Sequence, residues 1–360
     1  MANGAQVTEL LSVPAVDRGL DWLKTALQTA AQLEFATIPP YLCAMWSIKD
    51  TDSAVYMSFR EVVMEEMLHL GLVSNMLTTI GETPKLYPDA APAFPCRLPG
   101  GVRPNLEVPL RRLTRQGVKD VFMEIEKPRH DISGLDPTVE TDPTIGDFYD
   151  AILGAFEALP KNANSGHTVA ISGYRQISRN INIRDGVVAV QFKVESLDDV
   201  QKAIRIIKEQ GEGSETSPID TAKGIAMDLA HYFRFAEIHQ GKALAFDENG
   251  KIVFTGSVIE WNDADVYPMA DIPPGGYKSS DVPADVAEKL VEFDQTFTRM
   301  LKLLQAAWEP NPADPTKPQP TKLTASVGAM FQMTEIALEL MGKEISSGGQ
   351  TYGPCFRISE

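Results

Sequence analysis

The sequence has little cysteine, a deficit of positive charge and no long apolar run. Its three cysteines, Cys43, Cys96 and Cys355, are far apart and odd in number, so we expect neither a disulfide framework nor a thiolate zinc site. Lysine and arginine total 33 against 49 aspartates and glutamates, for a formal net charge of −16. This negative charge argues against nucleic acid and anionic membrane surfaces as partners.

Two further absences concern the location of the protein. No apolar run approaches the ~20 residues that a membrane span needs. The N-terminus has no basic region followed by an apolar segment, so no signal peptide is predicted. Hydrophobic residues make up 43% of the chain and charged residues 23%, as in ordinary soluble proteins. We therefore expect a cytoplasmic protein with a sizeable core.

Apolar residues recur at helical spacing through most of the chain, which predicts an all-α fold. Two long helices, over 15–48 and 53–80, flank a turn near position 50, and Pro39-Pro40 is expected to kink or break the first. Further helices are predicted over 144–159, 197–210, 219–240, 284–308 and 321–342.

The rest of the chain is predicted to be irregular or extended. Residues 82–143 are rich in proline and form an irregular insertion. A β-hairpin is expected over about 168–195, around Arg184-Asp185-Gly186. We predict a bundle over 1–245 with insertions at 82–143 and 161–196. Residues 246–360 then form a C-terminal helical extension that packs on the bundle and is not independent.

Charged residues occupy core positions in the first two helices. Glu34 lies on the apolar stripe of the first helix, and Glu66 and His69 lie on that of the second. Glu34 and Glu66 are equally distant from position 50, so an antiparallel hairpin brings them to the same level. A buried charge without a partner costs several kcal/mol. These three residues therefore predict a bound cation, because an ion pair between Glu66 and His69 would leave Glu34 unexplained.

A second cluster follows the same pattern further along the chain. Asp228 and His231 repeat the carboxylate-x-x-His spacing, which places both side chains on one side of a helix. Glu209 lies about as far before a turn near Pro218 as Asp228 lies after it. Glu212, between two glycines, is the alternative to Glu209. Asp228 is shorter than the expected glutamate and could instead be a solvated charge.

Together these residues match carboxylate-bridged dimetal bundles, in which two helices each supply a Glu and two others each supply Glu-x-x-His. Mixed oxygen and nitrogen ligands suit iron, with manganese as the alternative. The predicted metal ligands are Glu34, Glu66, His69, Glu209, Glu212, Asp228 and His231.

Other polar and aromatic residues are weaker candidates. Glu157 could complete the site, although it fits equally well at the rim of an amphipathic helix. Glu61 and Glu65 are expected on a solvated face. The remaining histidines are expected at the surface (His130, His167 and His239), and three aromatic residues are expected in the core (Tyr41, Trp46 and Tyr232). No catalytic residue is predicted besides the metal ligands.

Several motifs carry a resemblance to a known family. They are 33–42 (LEFATIPPYL), 65–69 (EEMLH), 210–213 (QGEG), 230–235 (AHYFRF) and 353–356 (GPCF). In this order they resemble the ferritin-like domain of the iminophenyl-pyruvate dimer synthase family, which also occurs in larger enzymes that couple two indole-3-pyruvate imines. The first four motifs carry the resemblance to this domain over roughly residues 15–245, and the near-terminal 353–356 also fits the end of the family. It implies a ferritin-like four-helix bundle, iron at the site and oxidative chemistry on amino-acid-derived substrates.

The sequence thus predicts a dimetal oxidoreductase, with two iron ions, that uses dioxygen or a peroxide on a small organic substrate such as an aryl-pyruvate imine. The alternatives are a non-catalytic iron-binding protein and a helical scaffold with a vestigial site. The sequence leaves the substrate and the oligomeric state open, and a homo-oligomer is compatible with it.

Overall fold

The computed structural model describes residues 7–88, 91–129, 132–135, 142–160, 171–184, 187–214, 217–219, 229–345 and 348–359. Over these ranges the main helices are α1 Val7–Ser12, α2 Leu20–Ser47, α3 Ala54–Thr79, α4 over 115–125, α5 Ile145–Ala158, α6 Leu197–Gly211, α7 His231–Gln240, α8 Ala284–Trp308 and α9 Pro320–Met341. The strands are β1 Arg179–Arg184, β2 Val187–Gln191, β3 Ala245–Phe246 and β4 Ile252–Val253.

Four of the helices form a closed bundle. The long helices α2 and α3 pack against each other, α5 packs on α2, α6 packs on α3, and α5 and α6 pack together. Side-chain caps start three of them: Ser53 for α3, Thr144 for α5 and Ser196 for α6 each accept a hydrogen bond from a backbone amide of the first turn. Such caps satisfy amides that have no partner inside the helix. The predicted all-α four-helix bundle is confirmed.

Helix α2 continues through its two prolines. It runs unbroken to Ser47, so a break at Pro39-Pro40 is wrong. Every residue from Leu33 to Ser47 is buried, and this packing compensates for the two amide donors that the prolines remove. The Thr37 hydroxyl oxygen also lies 2.9 Å from the Glu34 carbonyl oxygen.

The insertion at 82–143 contains a helix that the sequence analysis did not predict. Helix α4 starts with Arg115–Gly117, passes through a π-helical turn at Val118–Phe122 and ends with Met123–Ile125. Thr114 caps its first turn. Its apolar side packs against α7, so this part of the insertion is an ordered wall of the bundle.

The predicted hairpin and the two C-terminal helices are also present. Strands β1 and β2 pair antiparallel, and Asp185 and Gly186, which were predicted for the turn, lie outside the described ranges. Helices α8 and α9 pack together, and α9 contacts α2. The division at residue 245 stays a prediction, although one continuous core contains residues from both sides of it. In the described part of the chain, no helix is long and apolar enough to cross a bilayer.

Asn75 connects three of these parts. Its side-chain amide donates to the carbonyls of Ile177 and Phe192, at 2.7 and 2.8 Å, on either side of the hairpin. Its side-chain oxygen, Oδ1, accepts hydrogen bonds from the Ile177 backbone amide at 3.1 Å and from the indole of Trp308 in α8 at 2.9 Å. The side chain is fully buried, and its donors and acceptors are used by these bonds.

Candidate metal centre

The middle of the α2–α3 hairpin brings together one carboxylate from α2 with a carboxylate and an imidazole from α3. Nδ1 of His69 lies 3.4 Å from Oε2 of Glu34 and 3.8 Å from Oε1 of Glu66. All three residues are buried, and their candidate ligand atoms lie within 4.8 Å of one another. The structure therefore brings together Glu34, Glu66 and His69 as the sequence predicts.

A second group shares Glu66 with the first. Nδ1 of His231, the first residue of α7, lies 2.9 Å from Oε1 of Glu66 and 3.7 Å from Oε1 of Glu126. These three residues are also buried with ligand atoms within 4.8 Å. The His69 and His231 rings lie 5.6 Å apart, between centroids. Because one oxygen of Glu66 approaches both imidazoles, this carboxylate is placed to bridge two ions.

The sequence analysis missed Glu126. This residue follows α4 directly, inside the insertion that was predicted to be irregular. A signal was present: Val118, Val121, Phe122 and Ile125 follow the i, i+3, i+4, i+7 spacing of a buried helical face, and Glu126 lies four residues after Phe122. The flanking prolines and the shortness of the segment obscured it.

The helix that carries His231 is shorter than predicted. The predicted helix over 219–240 begins only at His231, and Leu229 pairs with Ile219 in an extended bridge. Asp228 lies outside the described residues, as do His130 and His167. His231 thus stands at a helix start, where the preceding Ala230 has an extended backbone.

Each imidazole is fixed by a partner on its other nitrogen. Nε2 of His69 is 2.8 Å from Oε1 of Gln210, and Nε2 of His231 is 2.8 Å from Oε2 of Glu65. Such contacts fix the tautomer and leave Nδ1 to face a cation. Gln210, rather than its neighbour Glu209, therefore reaches this site from α6.

The expectation that Glu61 and Glu65 are solvated is wrong. Glu65 is 1% exposed and Glu61 is also buried. Arg234, one turn into α7, forms an ion pair with Glu61 and lies 3.8 Å from Oε1 of Glu65. This guanidinium compensates the two charges, which explains how they tolerate burial.

Hydroxyl groups hold the carboxylates of both groups. Tyr149 of α5 donates to Glu34, Tyr41 donates to Oε1 of Glu126 at 2.6 Å, and Thr37 donates to Oε2 of Glu66 at 2.7 Å. Burial, together with the nearby carboxylates, raises the pKa of both tyrosines well above its ordinary value. Both phenols therefore stay neutral and remain hydrogen-bond donors.

Without a bound cation, Glu66 and the two imidazoles hold protons more tightly than they would in water. Burial raises the pKa of Glu66 to about 7, and the nearby Glu126 adds to this effect. Burial lowers the pKa of both imidazoles, but their carboxylate neighbours outweigh it: Glu34 and Glu66 raise that of His69, and Glu126, Glu65 and Glu66 raise that of His231 well above its usual range. A cation that replaced these protons would neutralise the same carboxylates.

These residues fit a pair of metal ions. Three buried carboxylates and two imidazoles form two groups that share one carboxylate, and both imidazoles direct Nδ1 toward the carboxylates. Within the described residues, Nδ1 of His231 makes no well-formed hydrogen bond. Hard oxygen donors combined with imidazole are typical of iron and manganese sites.

A cavity adjoins the centre. Glu34, Glu66, His69 and Glu126 line it from inside, and Gly146 and Glu212 line it beside the start of α5. Glu212 accepts a hydrogen bond from the Gly146 amide at 2.8 Å, and burial raises the pKa of Glu212 to about 7. Glu212 therefore borders the site without joining either group.

The remaining candidates belong to neither ligand group. Glu209 is half-buried and belongs to neither group. Glu157 is exposed and accepts a hydrogen bond from Gln201. His239 is half-buried, with Nδ1 3.3 Å from the carbonyl of Arg115. The three aromatic residues predicted for the core are all buried there (Tyr41, Trp46 and Tyr232).

Comparisons with known proteins agree with this architecture. A family profile described as ferritin-like matches residues 27–240. The chain is 26% identical over 333 residues to dichlorochromopyrrolate synthase of Lentzea aerocolonigenes, an alignment that covers 86% of this chain and 30% of that enzyme. It superposes on the crystal structure of a ferritin-like protein from Caulobacter vibrioides with a TM-score of 0.58 and 21% identity, over 94% of this chain and 97% of the other.

Proposed function

The chain belongs to the ferritin-like family, and from this premise we propose that it is a dimetal oxidoreductase that uses iron. The observation that carries the proposal is the pair of buried ligand groups that share Glu66. Glu34 and His69 would hold one ion, Glu126 and His231 the other, and Glu66 both. Glu126 takes the place that the sequence analysis assigned to Glu209 or Glu212.

We further propose a substrate class. The motifs that resemble the iminophenyl-pyruvate dimer synthase family point to small amino-acid-derived compounds such as aryl-pyruvate imines. The relative that is named dichlorochromopyrrolate synthase supports a small-molecule substrate. This chain spans 30% of the length of the named relative, so the activity of that enzyme is a hypothesis here. Coupling two imines removes two electrons and two protons, which dioxygen or a peroxide would accept.

The residues of the chain have defined tasks in this proposal. Bound iron supplies the redox chemistry. Tyr149, Tyr41 and Thr37 orient the carboxylates by hydrogen bonds, and Gln210 and Glu65 orient the imidazoles. The cavity beside the centre, which Glu34, His69 and Glu126 line, would hold a small external ligand. The apolar core around the centre excludes bulk water and strengthens these interactions.

Oxygen consumption tests the proposal. The protein would be loaded anaerobically with ferrous iron, and oxygen uptake measured with and without aryl-pyruvate imines formed by condensing an aryl-pyruvate with ammonia. We expect two irons per chain, imine-dependent oxygen uptake, and a product whose mass is that of two imines minus two hydrogens. If air causes only ferric deposition, with the imine unchanged, the protein handles iron without turnover and the enzyme hypothesis is wrong. If no metal is retained, the site is vestigial.

A further inference from the structure

We propose that the two metal positions are unequal, a conclusion that rests on the proposed dimetal function. The position between Glu126 and His231, here called the inner position, binds its ion first and more tightly. The position between Glu34 and His69, here called the outer position, holds the more exchangeable ion and takes the external ligand. The inequality comes from the partners of the two imidazoles and from the location of the cavity.

The partners of the two imidazoles differ in charge. His69 and His231 have their Nε2 atoms at the same distance, 2.8 Å, from an oxygen acceptor. The acceptor is the neutral amide of Gln210 for His69 and the carboxylate of Glu65 for His231. A carboxylate that accepts the N–H of a ligating imidazole makes this imidazole a stronger donor to the metal. His231 is therefore the stronger of the two nitrogen ligands.

The surroundings of Glu65 keep its carboxylate in place. Arg234 stands 3.8 Å from Oε1 of Glu65, and its Nε donates to the Leu229 carbonyl at 2.6 Å. Arg234 also pairs with Glu61, which lies one turn before Glu65 on α3. Because all of these groups are buried, solvent screens their interactions little. Behind the inner position, basic side chains thus alternate with carboxylates in a fixed chain: His231, Glu65, Arg234 and Glu61.

The cavity distinguishes the two positions independently. Both Glu34 and His69 of the outer position line it, together with Glu66 and Glu126. Among the described residues that line it, His69 is the only histidine, and the His231 side chain is fully buried behind it. A small external ligand in this cavity therefore contacts both unshared ligands of the outer position, Glu34 and His69, but only Glu126 of the inner position.

Manganese(II) alone tests the order of binding. The metal-free protein would be titrated with Mn(II), and we expect two binding steps whose dissociation constants differ by at least about tenfold. A crystal grown with one equivalent of Mn(II) should show an anomalous peak between Glu126 and His231. Equal occupancy of both positions, or a peak between Glu34 and His69, would overturn the inference.

Two variants test the cause of the difference. Glu65→Gln should weaken the tighter step by about 10- to 100-fold, the usual effect of removing such a partner, and leave the weaker step unchanged. Gln210→Glu is the matched opposite and should tighten the weaker step. Circular dichroism and melting curves check that both variants fold. If Glu65→Gln does not fold, Gln210→Glu decides, since an unchanged gap between the steps contradicts the mechanism.

These measurements separate this inference from the proposed function. They use neither an oxidant nor an organic substrate. Unequal Mn(II) binding by a protein that never oxidises a substrate would overturn the oxidoreductase and support the inequality. Equal binding at both positions by an active enzyme would support the oxidoreductase and overturn the inequality. A protein that binds neither Mn(II) nor iron would overturn both hypotheses.

Discussion

The two halves of the centre are built in different ways. The α2–α3 half takes Glu34, Glu66 and His69 from the middle of long helices. The other half takes Glu126 from just beyond the end of α4 and His231 from the first residue of α7. Helical spacing and the antiparallel packing of α2 and α3 align the first set, whereas a cap, a π-helical turn and contacts between distant segments position the second. The comparison shows that a candidate metal centre can combine residues that helical spacing reveals with residues that the tertiary fold brings together.

Replacing the shared carboxylate should have the largest effect, because it belongs to both halves. We expect Glu66→Ala to lower metal content from two ions per chain to fewer than one, while circular dichroism shows an intact bundle. Glu157→Ala, which removes an exposed carboxylate, is the matched control and should retain both ions. Two ions in Glu66→Ala would show that the two halves do not share a ligand.

The ligand that the sequence analysis missed can be tested by replacing Glu126. Glu126→Ala should weaken one of the two binding steps by more than the ~10- to 100-fold that follows loss of an indirect partner, because a direct ligand is removed. Glu209→Ala should leave both steps unchanged, since Glu209 belongs to neither group. A titration that gave the opposite ranking would restore the ligand set predicted from sequence.

The metal-free protein should lose stability as the pH rises. The folded-state pKa of Glu66, about 7, lies above its ordinary value of 4.5, and those of His69 and His231 are also raised. The folded state thus holds protons that the unfolded chain releases, so the free energy of unfolding falls as the pH rises from about 5 through 7. Melting temperatures at pH 5.5 and 8 measure this.

Glu66→Gln should flatten that pH profile and raise the melting temperature of the metal-free form at pH 8 by a few degrees. The scale is about 2–4 °C per kcal/mol for domains of 150–250 residues. The variant keeps the shape of the side chain and removes the charge that burial penalises. A profile as steep as that of the unchanged protein would mean that groups outside the centre cause the slope.

Smaller effects are expected from the two phenols, one in each half. Tyr149→Phe removes the donor to Glu34, and Tyr41→Phe removes the donor to Glu126. A hydrogen bond to a charged group contributes about 1.5–3 kcal/mol, so each change should weaken metal binding about tenfold or more at its own position. The titration should show a different affected step in each variant. Loss of the same step in both would contradict the assignment of one phenol to each half.

The regular parts of the fold could be predicted because packing and periodicity agree there. Both long helices, α5, α6 and the two C-terminal helices were found from apolar spacing, and Glu34 was found because a charge interrupts such a stripe. A break at Pro39-Pro40 does not occur, because local propensity is outweighed by the burial of the whole segment around it. This error arose because the local helix propensity of proline competes with the energy of tertiary packing.

The parts of the site that could not be predicted depend on contacts between distant segments. Glu65 resembles a solvated residue until Arg234 and His231 are placed beside it, 169 and 166 residues later in the chain. Gln210 rather than Glu209 reaches His69 because of the rotation of α6 in the bundle. Spacing within one helix contains no information about either relationship. The helical spacing before Glu126, by contrast, was present in the sequence and was overlooked in a proline-rich segment.

The hydrogen bonds of Asn75 have a consequence for the order in which the chain folds. Its amide joins backbone groups 102 and 117 residues later and an indole 233 residues later. Contacts between such distant residues form late, because closing long loops costs entropy before the contacts stabilise them. During synthesis on the ribosome, this asparagine must wait for Trp308 to emerge before its last bond can form. Until then the helix that carries the shared carboxylate has an incomplete outer surface, and chaperone protection would matter most in that interval.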